Sequence, residues 1–142
     1  MKNKGWIFGI VLLSGFVGWS VWKVVLRERI PLLSYKSEVE DIIRCAQEVV
    51  EKQKPPRTDE AALKAAAVEL RKRHNVLIER ASDDDKRRPS YRRTDEVVMQ
   101  IEWAAQSPKS EDVVKTRFDN AVQGIADVRS LLGTTQDSPQ PQ

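Results

Sequence analysis

The alternation of apolar and polar residues divides the chain into two parts. From Gly5 to Trp22 there are eighteen residues without a charge, which as a helix would reach about 27 Å, close to the hydrocarbon thickness of a bilayer. After Pro31, apolar residues recur at intervals of three and four, with charged residues between them. We therefore predict an all-α protein, with one N-terminal transmembrane helix followed by a small antiparallel bundle of three to four helices.

The apolar stretch has the features of an uncleaved membrane anchor over residues 1–30, with a span over about residues 5–26. Tryptophan rings favour the two membrane–water boundaries, and the long stem of a lysine lets its ammonium reach the headgroups. Four residues near the ends of the stretch suit these boundaries: Trp6, Trp19, Trp22 and Lys23. The expected first partner of this part of the chain is therefore a lipid bilayer.

Two other interpretations of the stretch compete with the anchor. A cleaved signal peptide fits the basic start, but it usually has a shorter apolar core and small residues at its end, where this chain reads GWSVWKVVL. A buried core helix would place three of the four tryptophans in one element of a small domain. We favour the retained anchor over both.

Small residues along the stretch suit close packing of membrane helices. Gly5 and Gly9 form a G-x-x-x-G pattern, and Gly15 with Gly18 adds a second small face. This glycine face predicts association of the span with itself or with another subunit of a membrane complex.

The sequence indicates the orientation in the membrane less clearly than the span itself, because basic residues flank the stretch at both ends. A short basic tail ahead of a long apolar run favours a cytoplasmic amino terminus. The bundle would then lie on the periplasmic side of a bacterial inner membrane, and the mitochondrial inner membrane is the alternative.

The remainder of the chain is predicted to have three parts. These are a hinge over residues 31–36, a helical-bundle domain over residues 37–133 and a disordered polar tail over residues 134–142. The tail is assigned as disordered because it carries two prolines and little that a core could bury.

Hydroxyl side chains followed by acidic residues mark four helix starts in the bundle, at Ser37, Thr58, Thr94 and Ser110. Two of these helices carry apolar stripes in a heptad rhythm, which predicts that they pack side by side. The stripes are Leu63, Ala67, Leu70, His74, Leu77 and Ala81, and Val114, Phe118, Ala121, Ile125, Val128 and Leu132. Short connections between the helices predict antiparallel neighbours.

The charge distribution argues against a nucleic-acid partner. The whole chain carries a net charge of +3, but residues 1–29 hold five basic residues and one acidic residue. The remainder has nineteen basic and twenty acidic residues, a net charge of −1. Because a nucleic-acid-binding domain carries its positive charge on the folded part, we expect no specific nucleic acid as a partner.

Five residues of the bundle are candidate partner contacts: His74, Tyr91, Arg92, Arg93 and Trp103. Residues 82–93 lack an apolar period and are typical of a solvated loop, with a contact site for an anionic partner as the alternative. Trp103 lies at the edge of an apolar stripe, where a large ring closes a core or meets a partner. His74 suits a hydrogen bond to a neighbouring helix or water, and the alternatives are a pH switch, a haem ligand or a partner contact.

The sequence lacks the common motifs of catalysis and cofactor binding. It has no phosphate-binding glycine loop, no G-x-S-x-G, no C-x-x-C and no H-E-x-x-H, and one cysteine with one histidine leaves a zinc site short of ligands. We therefore expect no catalytic residues, no metal and no cofactor. The sequence favours a non-catalytic structural or accessory subunit, or an assembly factor, of a larger membrane protein complex.

Two alternative functions belong to other classes. One is a membrane-anchored sensor or ligand-binding bundle, in which helix movement is passed through the span. The other is a phage-type envelope protein, because the layout of short tail, span and long outer helices is loosely similar to that of the inner-membrane spanins. This second likeness concerns the architecture alone.

Overall fold

Helices account for most of residues 32–141, the part of the chain that the structure, a computed structural model, describes. Four helices are long, one has a single turn, and a turn of 3-10 helix follows the last of them. The α-helices are α1 (Leu32–Gln53), α2 (Glu60–Arg80), α3 (Asp83–Lys86), α4 (Pro89–Gln106) and α5 (Glu111–Leu132), and the 3-10 turn is Thr135–Asp137.

The long helices run antiparallel to their neighbours along the chain. In the hairpin of α4 and α5, Arg93 faces Asp127 at 3.6 Å, and ten residues nearer the end of α4 Trp103 lies against Arg117. Helices α1 and α4 each pack against all the other long helices, and α2 and α5 lie on opposite sides of that pair. The prediction of an all-α helical bundle is confirmed for residues 32–141.

The core is formed by the inward stripes of the four long helices. The heptad stripe of α5 is buried over its whole length, and so is that of α2 up to Leu77. Helix α4 contributes Val97, Val98, Ile101, Ala104 and Ala105, all of which are buried. Burial of these apolar side chains supplies most of the free energy that holds the helices together.

Among residues 32–141, the helices are too polar or too short for any of them to cross a bilayer. The predicted anchor of residues 1–30, with the tryptophans, glycines and Lys23 assigned to it, lies outside the described residues.

The predicted hinge over residues 31–36 is wrong from residue 32 onward, because α1 begins at Leu32. The capping box at Ser37 is not used, since that residue lies inside the helix. Burial explains the difference: Tyr35 is 1% exposed in the core, and a helix that started at Ser37 would not place it there. Packing of one large ring therefore overrides a local start signal.

The predicted solvated loop over residues 82–93 is also wrong, because most of this segment is helical. Ser82 and Asp85 form a reciprocal capping box at the start of α3, and acidic residues fill its first turn. Pro89 then occupies the start of α4, where its missing N–H is no loss. The polar residues of this segment therefore belong to the ends of helices and not to a loop.

The predicted disordered tail over residues 134–142 is contradicted where the structure describes it. Thr135–Asp137 forms a turn of 3-10 helix, and Asp137 is buried against the end of the bundle where α1 and α4 begin. The bond that orders this segment joins residues 47 positions apart, so no local pattern predicts it.

Helices α4 and α5 approach closely at the buried Gly124. A Cβ built at this position would lie 2.6 Å from Cγ2 of Val97, well inside van der Waals contact. Val97 is buried and β-branched, so its methyl group has little freedom to move away. The lack of a side chain at Gly124 therefore sets the spacing of the hairpin.

Gly124→Ala is expected to lower the free energy of unfolding by about 1 kcal/mol. Overpacking typically costs about 1–3 kcal/mol, and this outweighs the gain of about 1 kcal/mol in helix propensity. Denaturant unfolding of the full-length protein in detergent, followed by far-UV circular dichroism, measures the change.

Gly133→Ala is the matched control, because Gly133 has a right-handed conformation with φ −88° and an added Cβ would meet only backbone oxygens at 3.8 Å or beyond. This variant should be neutral or more stable by up to about 1 kcal/mol. In a Val97→Ala background the cost of Gly124→Ala should largely disappear. A stabilising Gly124→Ala would contradict the packing argument.

Candidate functional site

His74 is fully buried between α2 and α4, with 0% of its surface exposed. Its Nδ1 lies 3.1 Å from Nη1 of Arg71 and 3.7 Å from Oδ1 of Asp95. The Tyr91 ring packs near the imidazole, with 6.2 Å between the ring centroids. Full burial removes His74, a predicted partner contact, from the surface of the bundle. The hydrogen bond of its Nδ1 goes to Arg71 on its own helix, and not to the neighbouring helix or water that the sequence favoured.

Arg71 organises the polar groups on this seam between α2 and α4. Its Nε donates to Oε1 of Glu102 at 2.7 Å, and its Nη2 donates to the other oxygen of the same carboxylate, giving a two-pronged ion pair. Its Nη1 reaches both His74 and, at 3.4 Å, Asp95. Hydrogen bonding to Glu102 raises the pKa of Arg71, which stays charged.

The Arg71 contact fixes the state of the His74 ring. A guanidinium has donors only, so Nδ1 must accept and the neutral ring carries its proton on Nε2. That buried Nε2 has no hydrogen-bond partner among the described residues. Burial lowers the pKa of His74 below its ordinary value of 6.5, opposed by the Asp95 carboxylate and reinforced by Arg71. Protonation would convert Nδ1 into a donor facing another donor.

Tyr91 is half-buried on α4 and packs against the core rather than standing in a basic loop. Burial, with a smaller contribution from Asp95, raises the pKa of its phenol. The structure therefore brings two of the predicted residues together, His74 and Tyr91, but as parts of one interior seam.

The two predicted arginines next to Tyr91 do not lie in the seam between α2 and α4. Arg92 is exposed, and Arg93 pairs with Glu96 on its own helix and with Asp127 on α5. The two carboxylates oppose the positive field of Arg93 that an anionic partner would use. The cluster of Arg92 and Arg93 around Tyr91 is thus not a single basic patch.

Trp103 is the predicted apolar contact that the structure leaves partly at the surface. It is 37% exposed, and the Arg117 guanidinium of α5 lies 4.7 Å from the centre of its ring. Arg117 is held in turn by Gln100, whose Oε1 accepts at 3.3 Å. One face of the indole is therefore held by Arg117 of α5, and about one-third of the residue remains exposed.

A second polar cluster, which the sequence reasoning missed, lies at the end of the bundle where α1 and α4 begin. The hydroxyls of Tyr35 and Ser90 lie 2.8 Å apart, and the Ser90 N–H donates to Oδ1 of Asp137 at 2.9 Å. Arg88 donates to the Asp137 carbonyl at 2.7 Å and to the Asp85 carboxylate at 2.9 Å. We call these five residues the end cluster.

Burial is high throughout the end cluster. Tyr35, Ser90 and Asp137 are buried, and the side chains of Arg88 and Asp85 are 15% and 12% exposed. Burial chiefly raises the pKa of Tyr35, so its phenol is protonated and available as a hydrogen-bond partner. Tyr35 and Asp137 lie 55 and 47 positions from Ser90, so no local pattern joins them to the segment of Asp85, Arg88 and Ser90, and the sequence did not reveal the cluster.

Both clusters are networks of hydrogen bonds and ion pairs that run between different elements of the bundle. Within residues 32–141, no three His, Cys, Asp or Glu side chains are grouped to hold a metal ion. Charge-assisted hydrogen bonds join α2 to α4 in the first cluster, and the C-terminal segment to the start of α4 in the end cluster. The hydrogen bonds of the two clusters fix these elements relative to one another.

Comparison of the chain with protein-family models, with curated proteins and with solved structures found no match.

The stability of the protein is expected to fall as the pH is lowered from about 7.5 to about 5.5. Above its ordinary pKa of 6.5, His74 is neutral in the folded and the unfolded chain. Below 6.5 the unfolded chain takes up a proton that the folded protein resists, so unfolding becomes more favourable by up to about 1.4 kcal/mol per pH unit. Thermal unfolding at a series of pH values measures this slope.

His74→Gln keeps an acceptor for Arg71 but does not titrate, so it should lose this component of the slope. Asp95→Asn removes the charge that opposes the fall in the His74 pKa. As the pH falls, this variant should therefore go on losing stability at pH values where the wild type no longer does. Equal slopes for the wild type and His74→Gln would rule out His74 as the titrating group.

Proposed function

We propose that the protein is a single-pass, membrane-anchored accessory subunit or assembly factor of a larger membrane protein complex, and that it is not an enzyme. The anchor is the apolar stretch over residues 5–26, and the bundle of residues 32–141 is the part that meets other subunits. The bacterial inner membrane is the favoured location, with the bundle on the periplasmic side.

Support for the anchor comes from the sequence. Eighteen residues without a charge, with tryptophans near both ends, match the length and the boundary preferences of a membrane span. The glycine face of Gly5, Gly9, Gly15 and Gly18 gives the span a surface for close contact with another membrane helix.

The observation that carries the partner-binding role is the setting of Trp103. Indole rings are frequent anchors of protein interfaces, because they bury a large area for a small loss of side-chain freedom. Arg117 already restrains this ring from one side at 4.7 Å, so less freedom remains to be lost on binding. A pre-oriented, exposed tryptophan suits a docking contact.

A rigid bundle also suits a bracing role. Arg71 joins α2 to α4 through the two-pronged ion pair with Glu102, and Arg73 and Arg80 join α2 to α1 through Asp41 and Glu38 at 2.8 and 3.0 Å. The side chains of Arg71 and Glu102 are less than one-third exposed, so this pair is screened less than one at the surface. The ties hold the Trp103 surface in a fixed relation to the rest of the bundle.

The sensor alternative is favoured by one observation, the buried neutral His74, whose Nε2 has no hydrogen-bond partner within residues 32–141. A bundle whose α2–α4 seam weakens on protonation would respond to acid. Because the ring is fully buried, it is a sensor of protons rather than a binding site for a larger ligand.

Trp103→Ala is expected to weaken association with the partner subunit by about 2 kcal/mol or more, since tryptophans at interfaces are commonly hot spots. Gly9→Leu should weaken association through the span. The measurement is the mass and composition of the particle that contains the full-length protein, extracted from membranes in a mild detergent.

Val122→Ala is the matched control, because Val122 is 51% exposed on α5 and its truncation also removes exposed apolar surface. It should leave the particle unchanged, and circular dichroism should show that all three variants are folded. A wild-type protein that is a lone monomer or homodimer across several detergents would refute the subunit proposal.

A further inference from the structure

Helix α4 begins without a cap from its own neighbourhood. Its N-cap residue is Arg88, whose side chain makes no capping hydrogen bond. The N–H of Ser90 instead donates to Oδ1 of Asp137, at 2.9 Å and 47 positions later in the sequence. The free N–H groups and the positive end of an eighteen-residue helix favour such a carboxylate.

The groups that receive Asp137 are held in place by residues outside the C-terminal segment. Asp85 binds Nε of Arg88 at 2.9 Å, which leaves Nη1 directed at the Asp137 carbonyl oxygen, 2.7 Å away. Tyr35 holds the Ser90 side chain at 2.8 Å. The receiving groups, the Ser90 N–H and the Arg88 guanidinium, therefore form a built site.

The site binds two groups of one residue. Ser90 binds the side-chain carboxylate, and Arg88 binds the main-chain carbonyl of that residue. A free inorganic anion satisfies only the first contact, whereas a peptide that contains an aspartate satisfies both.

The C-terminal segment is attached to this site by a single buried residue. Asp137 is 3% exposed, and its neighbours from Gly133 to Pro141 are all exposed. No apolar side chain of this segment enters the core. Apart from Asp137, the hydrogen bonds of residues 134–141 to the rest of the bundle in the described residues are two from Thr134 to the Leu131 carbonyl, at the end of α5, and one from the Gln140 N–H to the Arg87 carbonyl at 3.4 Å. Oδ2 of Asp137 is buried without a partner among the described residues, which weakens the attachment further.

We propose that the end cluster contains a binding site for an aspartate-bearing peptide segment, and that the chain fills it with its own Asp137 until a competing segment displaces the tail. Segments held by few buried contacts open at low free-energy cost, which makes the exchange accessible. The inference does not rest on the membrane anchor or on Trp103, and it gives the bundle a second contact surface.

Amide hydrogen exchange on the full-length protein in detergent tests the proposal. Asp137→Ala should raise exchange at the Ser90 and Tyr91 amides by about tenfold, as expected for loss of a helix cap. A synthetic peptide with the sequence of residues 134–142, added in trans, should restore protection in a concentration-dependent way. The same peptide with alanine in place of the aspartate should not.

Asp119→Ala is the matched control, because it removes the same charge from an exposed position on α5 and should leave both amides unchanged. Asp137→Asn should keep most of the protection, since asparagine caps helices about as well as aspartate. Unchanged exchange in Asp137→Ala would overturn the capping role. Equal effects of the two peptides would overturn the exchangeable site.

If Asp137→Ala does not fold, the wild-type protein is titrated with the two peptides. Displacement of the tail should speed exchange at the Gln140 amide with the aspartate peptide only, because that amide is held by the Arg87 carbonyl in the closed form. No change at saturating peptide would show that the tail is a permanent part of the fold and would overturn the proposal.

Discussion

The bundle depends on the packing of α4, which contacts every other long helix. Its inward stripe is apolar, and the closest approach, at Gly124 of α5, leaves no room for a methyl group beside Val97. Once this hairpin is closed, the positions of α1 and α2 follow from the stripes that remain to be covered. Polar groups then decide the details, because each one that α4 carries inward needs a partner from another element.

The two polar clusters along α4 differ in how they meet that need. On the seam with α2, Arg71 satisfies Glu102, Asp95 and His74 together, and only His74 Nε2 is left without a partner among the described residues. At the start of α4, the partner comes from the end of the chain, through Asp137. The first cluster is anchored by two long helices, whereas the second depends on a segment without a core of its own.

Much of the fold could be predicted from the sequence because apolar periodicity is a direct record of burial. The α5 stripe from Val114 to Leu132 is buried as its spacing predicts. Two of the errors fall where a long-range contact decides: Tyr35 extends α1 past a local start signal, and Asp137 orders a tail whose composition is typical of disorder. The error over residues 82–93 is local, because a capping box makes a short helix from a polar segment. Of the candidate contacts, only Trp103 could be assigned to an exposed edge from its spacing in the sequence. The environment of His74 could not be predicted, because it depends on which residues of α4 lie opposite the ring.

These observations separate what holds the bundle together from what can change in it. Apolar contacts such as Val97 with Gly124 carry no group that gains or loses a proton and none that a carboxylate could replace. The His74 ring and the Asp137 carboxylate are different, because a proton or a competing carboxylate can replace an interaction that each of them makes. Both groups bear on α4, through Asp95 and Ser90 respectively. A change at either one therefore acts on the helix that every other long helix contacts, which makes α4 the element through which a small polar event can reach the whole bundle.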